Sequence, residues 1–327
     1  MSRPAGVGDD VLVPAAEIDV DVPLTRALLA EQHPDLAGLP LEIVANGWDN
    51  VMVRAGDELA VRLPRRALAA PLVEHEQHAL PVLAGRLRAA APGVVVPVPV
   101  RVGRPSRALG YPWSWNVVPW AGGVSAEATP VADRTAWAGT LAGLLAAVHV
   151  PAPDDAPPNP VRGVPLQDRV EAGEAAAMGE RLERVPAGLR DAARRVWDGA
   201  LAAPAYDGPP VWLHGDPHPA NLVVAPGHGG RPDRLAAVVD WGDVTSGDPA
   251  SDLGTLWLCF DAAGRAAFRA ETQERAHGGR GWDEATWARA AGWSLLYATN
   301  MLAHAELHPR LLPIGRHALG ALLATTS

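Results

Sequence analysis

The chain has 327 residues, more than one typical hydrophobic core accommodates, so its length favours two lobes. Its 48% hydrophobic content excludes a largely disordered chain. Its formal net charge of -9 argues against a nucleic-acid-binding protein, because such proteins need a basic surface.

The first third of the chain combines a group of strands with two helices. Apolar and polar residues alternate between the turn pairs Asn46-Gly47 and Gly56-Asp57, which is typical of hairpins. The predicted elements are, in order, a helix over residues 24–36 stopped at Pro34, three antiparallel strands within 41–64, a helix over 68–90 and two strands over 93–103 and 113–120. The second helix shows an apolar stripe of Leu72, Val73, Leu80, Val82 and Leu83.

The composition changes at residues 120–123, which predict a hinge. After it the pattern predicts a helix over 131–149, a proline-rich loop over 150–165, helices over 167–182 and 187–202, strands at 222–224 and 235–239, and helices from 251 to the end with breaks at Gly278-Gly279 and His308-Pro309. The simplest interpretation of the proline-rich loop is a surface linker. Strands are thus segregated from helices, which predicts an α+β fold with an N-lobe of residues 1–119 and a C-lobe of residues 120–327.

The cysteine content and the apolar runs bear on location. Cys259 is the single cysteine, which excludes an intramolecular disulfide, and its apolar surroundings predict a buried structural thiol. Residues 1–10 lack the apolar segment of a secretory signal, and the longest apolar run, residues 137–150, is too short for a membrane span. The sequence therefore predicts a cytoplasmic protein that binds neither membrane nor nucleic acid.

The segment "WLHGDPHPANLVV", residues 212–224, concentrates polar side chains between apolar ones. A metal site is one interpretation, because His214, Asp216 and His218 alternate as ligands on one strand face would. Two prolines in the segment prevent a regular strand, and neither a second histidine cluster nor an HEXXH motif occurs in the sequence. A metal-dependent hydrolase is therefore kept as an alternative only.

Phosphoryl transfer is the second interpretation of this segment. It requires a carboxylate that orients the attacking hydroxyl and oxygen ligands that hold Mg²⁺. Asp216 and Asn221 have the five-residue spacing of the protein-kinase catalytic loop. Nineteen residues later, Asp240 ends an apolar run and precedes Trp241 and Gly242, as in the Asp-Phe-Gly segment of kinases.

The segments "HGDPHPANLVV" and "VVDWGDVTSGDPASDLGTLW" resemble the aminoglycoside phosphotransferase family, small-molecule kinases with a protein-kinase-like fold. Residues 47–66, "GWDNVMVRAGDELAVRLPRR", are similar to the N-lobe hairpins of that family. The resemblance implies a small antiparallel sheet with one helix and a larger helical C-lobe. It also implies Mg²⁺-dependent transfer of the γ-phosphate of ATP or GTP to a hydroxyl of a small molecule, an aminoglycoside or another antibiotic.

The resemblance assigns roles to individual C-lobe residues. Asp216 matches the catalytic base, and Asn221 and Asp240 match the Mg²⁺ ligands. His214 matches a loop histidine that we expect to be architectural, and Asp252 matches an acidic residue that braces the catalytic loop. A noncatalytic nucleotide-binding pseudokinase stays an alternative, although all three catalytic and metal-binding side chains are present.

The nucleotide side of the site departs from the family pattern. Arg62 stands where the family usually has a phosphate-binding lysine, and all 28 basic residues of the chain are arginines. Glu76 matches its helix partner, in preference to Glu74. The hinge around Val118 and Trp120 is expected to hold the purine through backbone groups.

The residues that bind the acceptor are not identified by a motif. The C-terminal helices carry arginines as well as carboxylates, so an acidic cleft for a polycation is not evident. The aromatic residues of this region either line the acceptor site or belong to the core, and they are Trp282, Trp287, Trp293 and Tyr297.

Overall fold

The structure, a computed structural model, describes residues 15–324. The segment in which the sequence predicts no secretory signal lies outside these residues, as do the last three residues of the predicted C-terminal helical region. No helix within the described range is both long and apolar enough to cross a bilayer.

A five-stranded antiparallel sheet with the strand order β1-β2-β3-β5-β4 forms the N-terminal part. Its strands are β1 Leu41–Asn46, β2 Asn50–Ala55, β3 Leu59–Pro64, β4 Arg101–Gly103 and β5 Trp115–Pro119. The three strands predicted within 41–64 are thereby confirmed. The sequence does not predict the late start of β4: Val95 instead forms a bridge to Ala237 of the C-terminal part. Two prolines, Pro97 and Pro99, lack the amide donors of a ladder strand.

Two helices accompany this sheet. The first, α1 Val22–Gln32, starts at Asp21, whose side chain accepts a hydrogen bond from the Leu24 amide, and ends before Pro34, so it is shorter than predicted. The second, α2 Ala70–Ala90, agrees with the prediction. Its predicted apolar stripe is wrong at Val82, which is exposed, and correct at Val73, Leu80 and Leu83.

The two faces of β3 have different environments because strand side chains alternate. Val61 and Leu63 pack with Leu28 and Leu29 of α1 in one buried cluster. Arg62, between them, points to the opposite face, where α2 lies. This side of the sheet faces the C-terminal part of the chain.

Helices form most of the C-terminal part, and α10 lies in its centre against α6, α7 and α11. They are α3 Ala138–Val148, α4 Leu166–Arg169, α5 Ala175–Glu183, α6 Ala187–Ala202, α7 Ala250–Leu253, α8 Thr255–Cys259, α9 Ala262–Arg275, α10 Glu284–Ala303 and α11 Leu312–Leu323.

Two predicted helices differ from the structure. The region 131–149 begins as a 3₁₀ helix, Val131–Trp137, before α3. The region 167–182 is divided into α4 and α5 by a π-turn, Val170–Glu174, in which Gly173 has a φ of 103°. The buried Cys259 confirms the predicted structural thiol. The lobe boundary between residues 119 and 120 stays a prediction.

Two small sheets support the segments singled out in the sequence. One has the order β6-β8-β9, with β6 Val124–Ser125, β8 Leu222–Ala225 and β9 Arg234–Val238. The other pairs β7 Val211–Leu213 with β10 Thr245–Gly247. The sequence predicts β8 and β9 but misses the short strands β6, β7 and β10. Residues 214–221 and 239–244 are held between these strands.

Candidate active site

The loop after β7 requires a glycine at its second position. Gly215 has a φ of 90°, and a Cβ at this residue would lie 2.2 Å from the carbonyl oxygen of Asp243. A side chain is therefore excluded both by the backbone conformation and by the neighbouring segment. The close approach brings the loop of residues 214–221 against the segment that follows β9.

Asp252 contacts the backbone at the start of this loop. Its carboxylate is fully buried and accepts hydrogen bonds from the amides of His214 (2.8 Å) and Gly215 (2.9 Å). The Nε2 atom of His149 lies 3.1 Å from the same carboxylate. These contacts agree with the bracing role that the resemblance implies for Asp252, which stays a prediction.

His214 joins the loop to the segment after β9. Its Nε2 atom lies 3.1 Å from the carbonyl oxygen of Val239, and its Nδ1 atom accepts a hydrogen bond from the Asp216 amide at 3.2 Å. Its ring packs on Trp241 at 4.4 Å between centroids. Burial lowers the pKa of His214 against the opposing effect of Asp252, so the ring is neutral at pH 7. Both ring nitrogens are thus engaged in holding the backbone.

These contacts remove the basis for the metal-hydrolase interpretation. Within residues 15–324, no group of three or more His, Cys, Asp or Glu side chains could hold a metal ion. The alternation of His214, Asp216 and His218 reflects hydrogen bonding inside the loop.

Asp216 is held by cationic side chains on both carboxylate oxygens. Its Oδ1 atom lies 3.3 Å from Nη2 of Arg162, and its Oδ2 atom lies 3.4 Å from Nε2 of His218. Burial raises the pKa of Asp216, but the charges of Arg162 and His218 outweigh it and bring the pKa below its usual range. The carboxylate is therefore ionised at neutral pH.

Asn221 and Asp240 line one cleft, which does not include Asp216. The side-chain nitrogen of Asn221 donates to the carbonyl oxygen of Asp216 at 2.9 Å, which leaves the Oδ1 atom of Asn221 for a cation. Asp240 follows β9 with a φ of 59°, in the left-handed region that aspartate tolerates, and its side chain is about half exposed. An amide oxygen and a carboxylate are the ligands that suit Mg²⁺, so the donor set fits this ion.

Arg62 connects the N-terminal sheet to Asp240. Its guanidinium donates to Glu76 of α2 and, at 2.8 Å, to Oδ1 of Asp240. Glu76 is fully buried and also accepts a hydrogen bond from the Trp241 amide at 3.0 Å. Burial raises the pKa of Glu76 to about 7, although Arg62 opposes the shift. The alternative partner Glu74 accepts a hydrogen bond from Ser114 instead.

A cleft of about 370 Å³ brings most of the predicted nucleotide-side residues together, lined by Arg62, Val118, Trp120, Asn221 and Asp240 among others. Glu76 and Asp216 do not line it, since Glu76 lies behind Arg62 and Asp216 faces a second cavity. The Trp120 amide donates to the carbonyl oxygen of Glu58 at 2.7 Å, and Pro119 has no amide hydrogen. Neither residue therefore offers a backbone donor to a purine.

The tip of the β1–β2 hairpin also lines the cleft. Trp48 and Asp49 lie on its wall, and the Gly47 amide is bonded to the carbonyl oxygen of Asn50 at 2.9 Å. Arg65 donates to Asn46 and Gly47 of this hairpin. A β-turn and a phosphate-binding turn are both compatible with this geometry.

Three further residues beside Asp216 are not predicted from the sequence: Arg162, Asn159 and Asp243. Arg162 lies 3.9 Å from Asp243, whose other carboxylate oxygen accepts a hydrogen bond from Asn159 at 2.9 Å. Arg162 and Asn159 belong to the proline-rich loop that the sequence favours as a linker. The length of this loop is the feature of the sequence that could have indicated its role, because long loops without secondary structure inside compact domains are often functional.

A model of the phosphotransferase enzyme family, APH, matches residues 40–293, well over half of the chain, and this range includes Arg62, Asp216, Asn221 and Asp240. The chain belongs to this family. The family resemblance and the predicted kinase-like α+β fold are thereby confirmed, and the chain is an enzyme that phosphorylates small molecules. No curated protein sequence matches the chain.

Solved structures of several phosphotransferases share the fold over nearly the whole chain. The GDP and kanamycin complex of APH(2")-IIia is 16% identical with a TM-score of 0.58 and covers 92% of this chain and 98% of its own. Macrolide 2'-phosphotransferase type I is 22% identical with a TM-score of 0.52, covering 95% and 98%. A ternary complex of APH(4)-Ia with ADP and hygromycin B is 14% identical with a TM-score of 0.55, covering 91% and 96%.

Proposed function

We propose that this member of the APH family transfers the γ-phosphate of ATP or GTP to a hydroxyl of a small molecule with the help of Mg²⁺. One observation carries the proposal. Asn221 lines the cleft together with Asp240, and its side chain is bonded to the backbone of Asp216, whose carboxylate faces a second cavity. A nucleotide in the cleft and an acceptor in the second cavity would therefore meet at Asp216.

The residues of this junction have complementary tasks. Asp216 orients the acceptor hydroxyl and takes its proton as the phosphoryl group is transferred. Asn221 and Asp240 would hold Mg²⁺, which neutralises phosphate charge when bound. Arg62 holds the nonreacting phosphates with a planar guanidinium. The presence of all these groups favours an active kinase over a pseudokinase.

The donor is proposed as ATP or GTP because neither Pro119 nor Trp120 offers a backbone donor that would distinguish the two bases. The neighbours include a GDP complex and an ADP complex. Pro119 and Trp120 offer no backbone donor, so purine recognition rests on other backbone groups of the cleft and on apolar contact with side chains such as Val118. We therefore test both nucleotides in parallel.

The second cavity, of about 250 Å³, indicates the kind of acceptor. Among the described residues that line it, Asp216 is the single carboxylate, and it is already paired with Arg162. The remaining lining residues are Arg162, His218, Tyr297, Asn300, Met301, His304, His308 and Leu311. A polycation needs several carboxylates for its ammonium groups. We therefore propose an acceptor with few or no positive charges, a macrolide in preference to an aminoglycoside.

An acceptor screen tests the proposal. Purified protein with Mg²⁺ and either ATP or GTP is incubated with kanamycin, hygromycin B, a macrolide and uncharged polyhydroxyl compounds, and phosphorylated product is detected by mass. Asp216→Ala is the matched control: it should lower kcat by roughly 10²–10⁴-fold, as expected for a lost general base, with nucleotide affinity unchanged. Transfer by Asp216→Ala at the wild-type rate contradicts the assigned base. Efficient transfer to kanamycin alone contradicts the acceptor class.

A further inference from the structure

The proline-rich loop is built into the active site. Thr245 donates to the carbonyl oxygen of Pro157 at 2.7 Å, and the Asp248 amide donates to that of Gly163 at 2.8 Å. A Cβ at Gly163 would lie 2.4 Å from the side chain of Leu213, so the loop packs tightly on β7. The interpretation of this loop as a surface linker is wrong.

A local turn in the loop sets the direction of Arg162. The side-chain oxygen of Asn159 accepts hydrogen bonds from the amides of Val161 (3.0 Å) and Arg162 (3.1 Å). Its nitrogen donates to Asp243, so the turn is tied to the segment after β9. An asparagine that closes a turn in this way restricts the backbone that carries the next side chains.

The guanidinium of Arg162 ends between three groups of the C-terminal part. It lies 3.3 Å from Asp216 and 3.9 Å from Asp243, and its Cζ atom lies 5.0 Å from the centroid of the Tyr297 ring. Its side chain is about one-fifth exposed. The aromatic face and the two carboxylates fix the guanidinium plane in a way that an exposed ion pair would not.

We propose that Arg162 is a positioning residue that fixes the carboxylate of Asp216 toward the acceptor cavity, an inference that rests on the proposed function. Arg162 holds Oδ1, and His218 holds Oδ2. The carboxylate is thereby restrained from two sides while the backbone of Asp216 is tied to Asn221. Arg162 also offsets the repulsion between Asp216 and Asp243, which would otherwise displace the carboxylate of Asp216.

Variants of Arg162 test whether its guanidinium positions Asp216. Arg162→Ala should lower kcat by about 10²-fold, the cost of a misplaced reacting group, with the Kd of the nucleotide changed less than threefold. Added guanidinium should restore part of the kcat of Arg162→Ala, and Arg162→Lys should retain part of it. The matched control is Arg169→Ala, which removes an arginine paired with Glu174 at 2.6 Å and should leave kcat unchanged.

A double-mutant cycle separates positioning from direct contact with the phosphates. In the Asp216→Asn background, Arg162→Ala should cause no further loss of kcat, because its effect passes through Asp216. A full additional 10²-fold loss in that background would overturn the inference. So would a kcat of Arg162→Ala equal to that of the wild type.

The ion pair itself can be tested without turnover. The thermal unfolding midpoints of Arg162→Ala, Asp216→Asn and the double variant should be non-additive, because the two side chains interact. Strictly additive midpoints overturn the inference even in an inactive protein. An inactive wild type with non-additive midpoints contradicts the proposed function and supports the pair.

Discussion

The Nη2 atom of Arg62 lies 2.8 Å from Oδ1 of Asp240 and links the N-terminal sheet to the segment after β9. The cation that stands in the position of the usual lysine thus contacts the carboxylate that we propose as a metal ligand. A bound Mg²⁺ would compete for Asp240, because a divalent ion is a stronger partner than a guanidinium. Arg62 keeps Glu76 as its second partner, so its Nη2 atom can turn to a phosphate oxygen without losing its anchor.

The first prediction concerns this arginine. Arg62→Ala should raise the KM for the nucleotide at least tenfold, because the phosphates lose a charged donor and Glu76 is left buried without a cation. Arg62→Lys should recover part of the loss, since an ammonium group restores the charge but not the fork of donors. Steady-state kinetics over a range of nucleotide concentrations measures both.

Arg65→Ala is the control for the arginine prediction. Arg65 directly follows β3 but donates to Asn46 and Gly47 of the hairpin. We expect a smaller rise in KM from it. If Arg65→Ala is impaired and Arg62→Ala is normal, the phosphate-binding cation lies beyond Pro64.

The second prediction concerns the metal. Asp240→Asn replaces a charged oxygen ligand by a neutral amide and removes one of the two carboxylate partners of Arg62. Turnover should fall by at least about 10²-fold at an Mg²⁺ concentration on the order of 1 mM. Part of the activity should return as the Mg²⁺ concentration is raised, because the loss of a ligand weakens Mg²⁺ binding and not the fold. Titration of activity with Mg²⁺ measures the shift. Turnover that is independent of Mg²⁺ in the wild type would contradict the metal assignment.

The segments that we propose as catalytic were recognisable in the sequence because each carries its polar residues in a short stretch. The spacing of Asp216, Asn221 and Asp240 matches that of the family, and it can be recognised without any knowledge of how the chain packs. Arg162 was not predictable in this way. Its contact with Asp216 spans 54 residues of sequence and depends on a loop whose turns are set by Asn159 and Gly163.

The fold was predictable where the hydrophobic pattern is long and regular, as in the three N-terminal strands. It was not predictable where tertiary contact determines the conformation. The segment before β4 is apolar enough for a strand, yet Val95 pairs with Ala237 of the other part of the chain. Three-residue strands such as β7 are too short to show any period.

The third prediction is a pH dependence of stability. Burial raises the pKa of Glu76 from its ordinary value of 4.5 to about 7. Between these values the folded protein keeps a proton that the unfolded chain has released, so the contribution of Glu76 to the free energy of unfolding falls as pH rises. It is full below about pH 4.5 and lost above about pH 7.

Glu76→Gln isolates this contribution, because glutamine cannot titrate. The midpoint of the wild type minus that of Glu76→Gln should decrease from pH 5 to pH 7 and then level off. Thermal unfolding in matched buffers measures the difference. A difference that increases with pH over this range would show that Glu76 is ionised throughout, with Arg62 outweighing burial.

The last prediction concerns the support of the catalytic loop. Asp252→Ala removes the acceptor for the amides of His214 and Gly215, and no water can replace it without entering a fully buried position. An unsatisfied buried donor costs about 1–3 kcal/mol, so the variant should lose at least about 2 kcal/mol of unfolding free energy.

The control is Asp261→Ala, which removes the N-cap contact to Gly264 at the start of α9 and should cost about 1 kcal/mol. Both variants lose one carboxylate in the same part of the chain, but only the Asp252 variant should also lose turnover, since Asp216 follows the two released amides. Chemical denaturation and kcat, measured on the same preparations, distinguish the two effects: equal destabilisation with normal turnover in both variants would show that the loop keeps its conformation without Asp252.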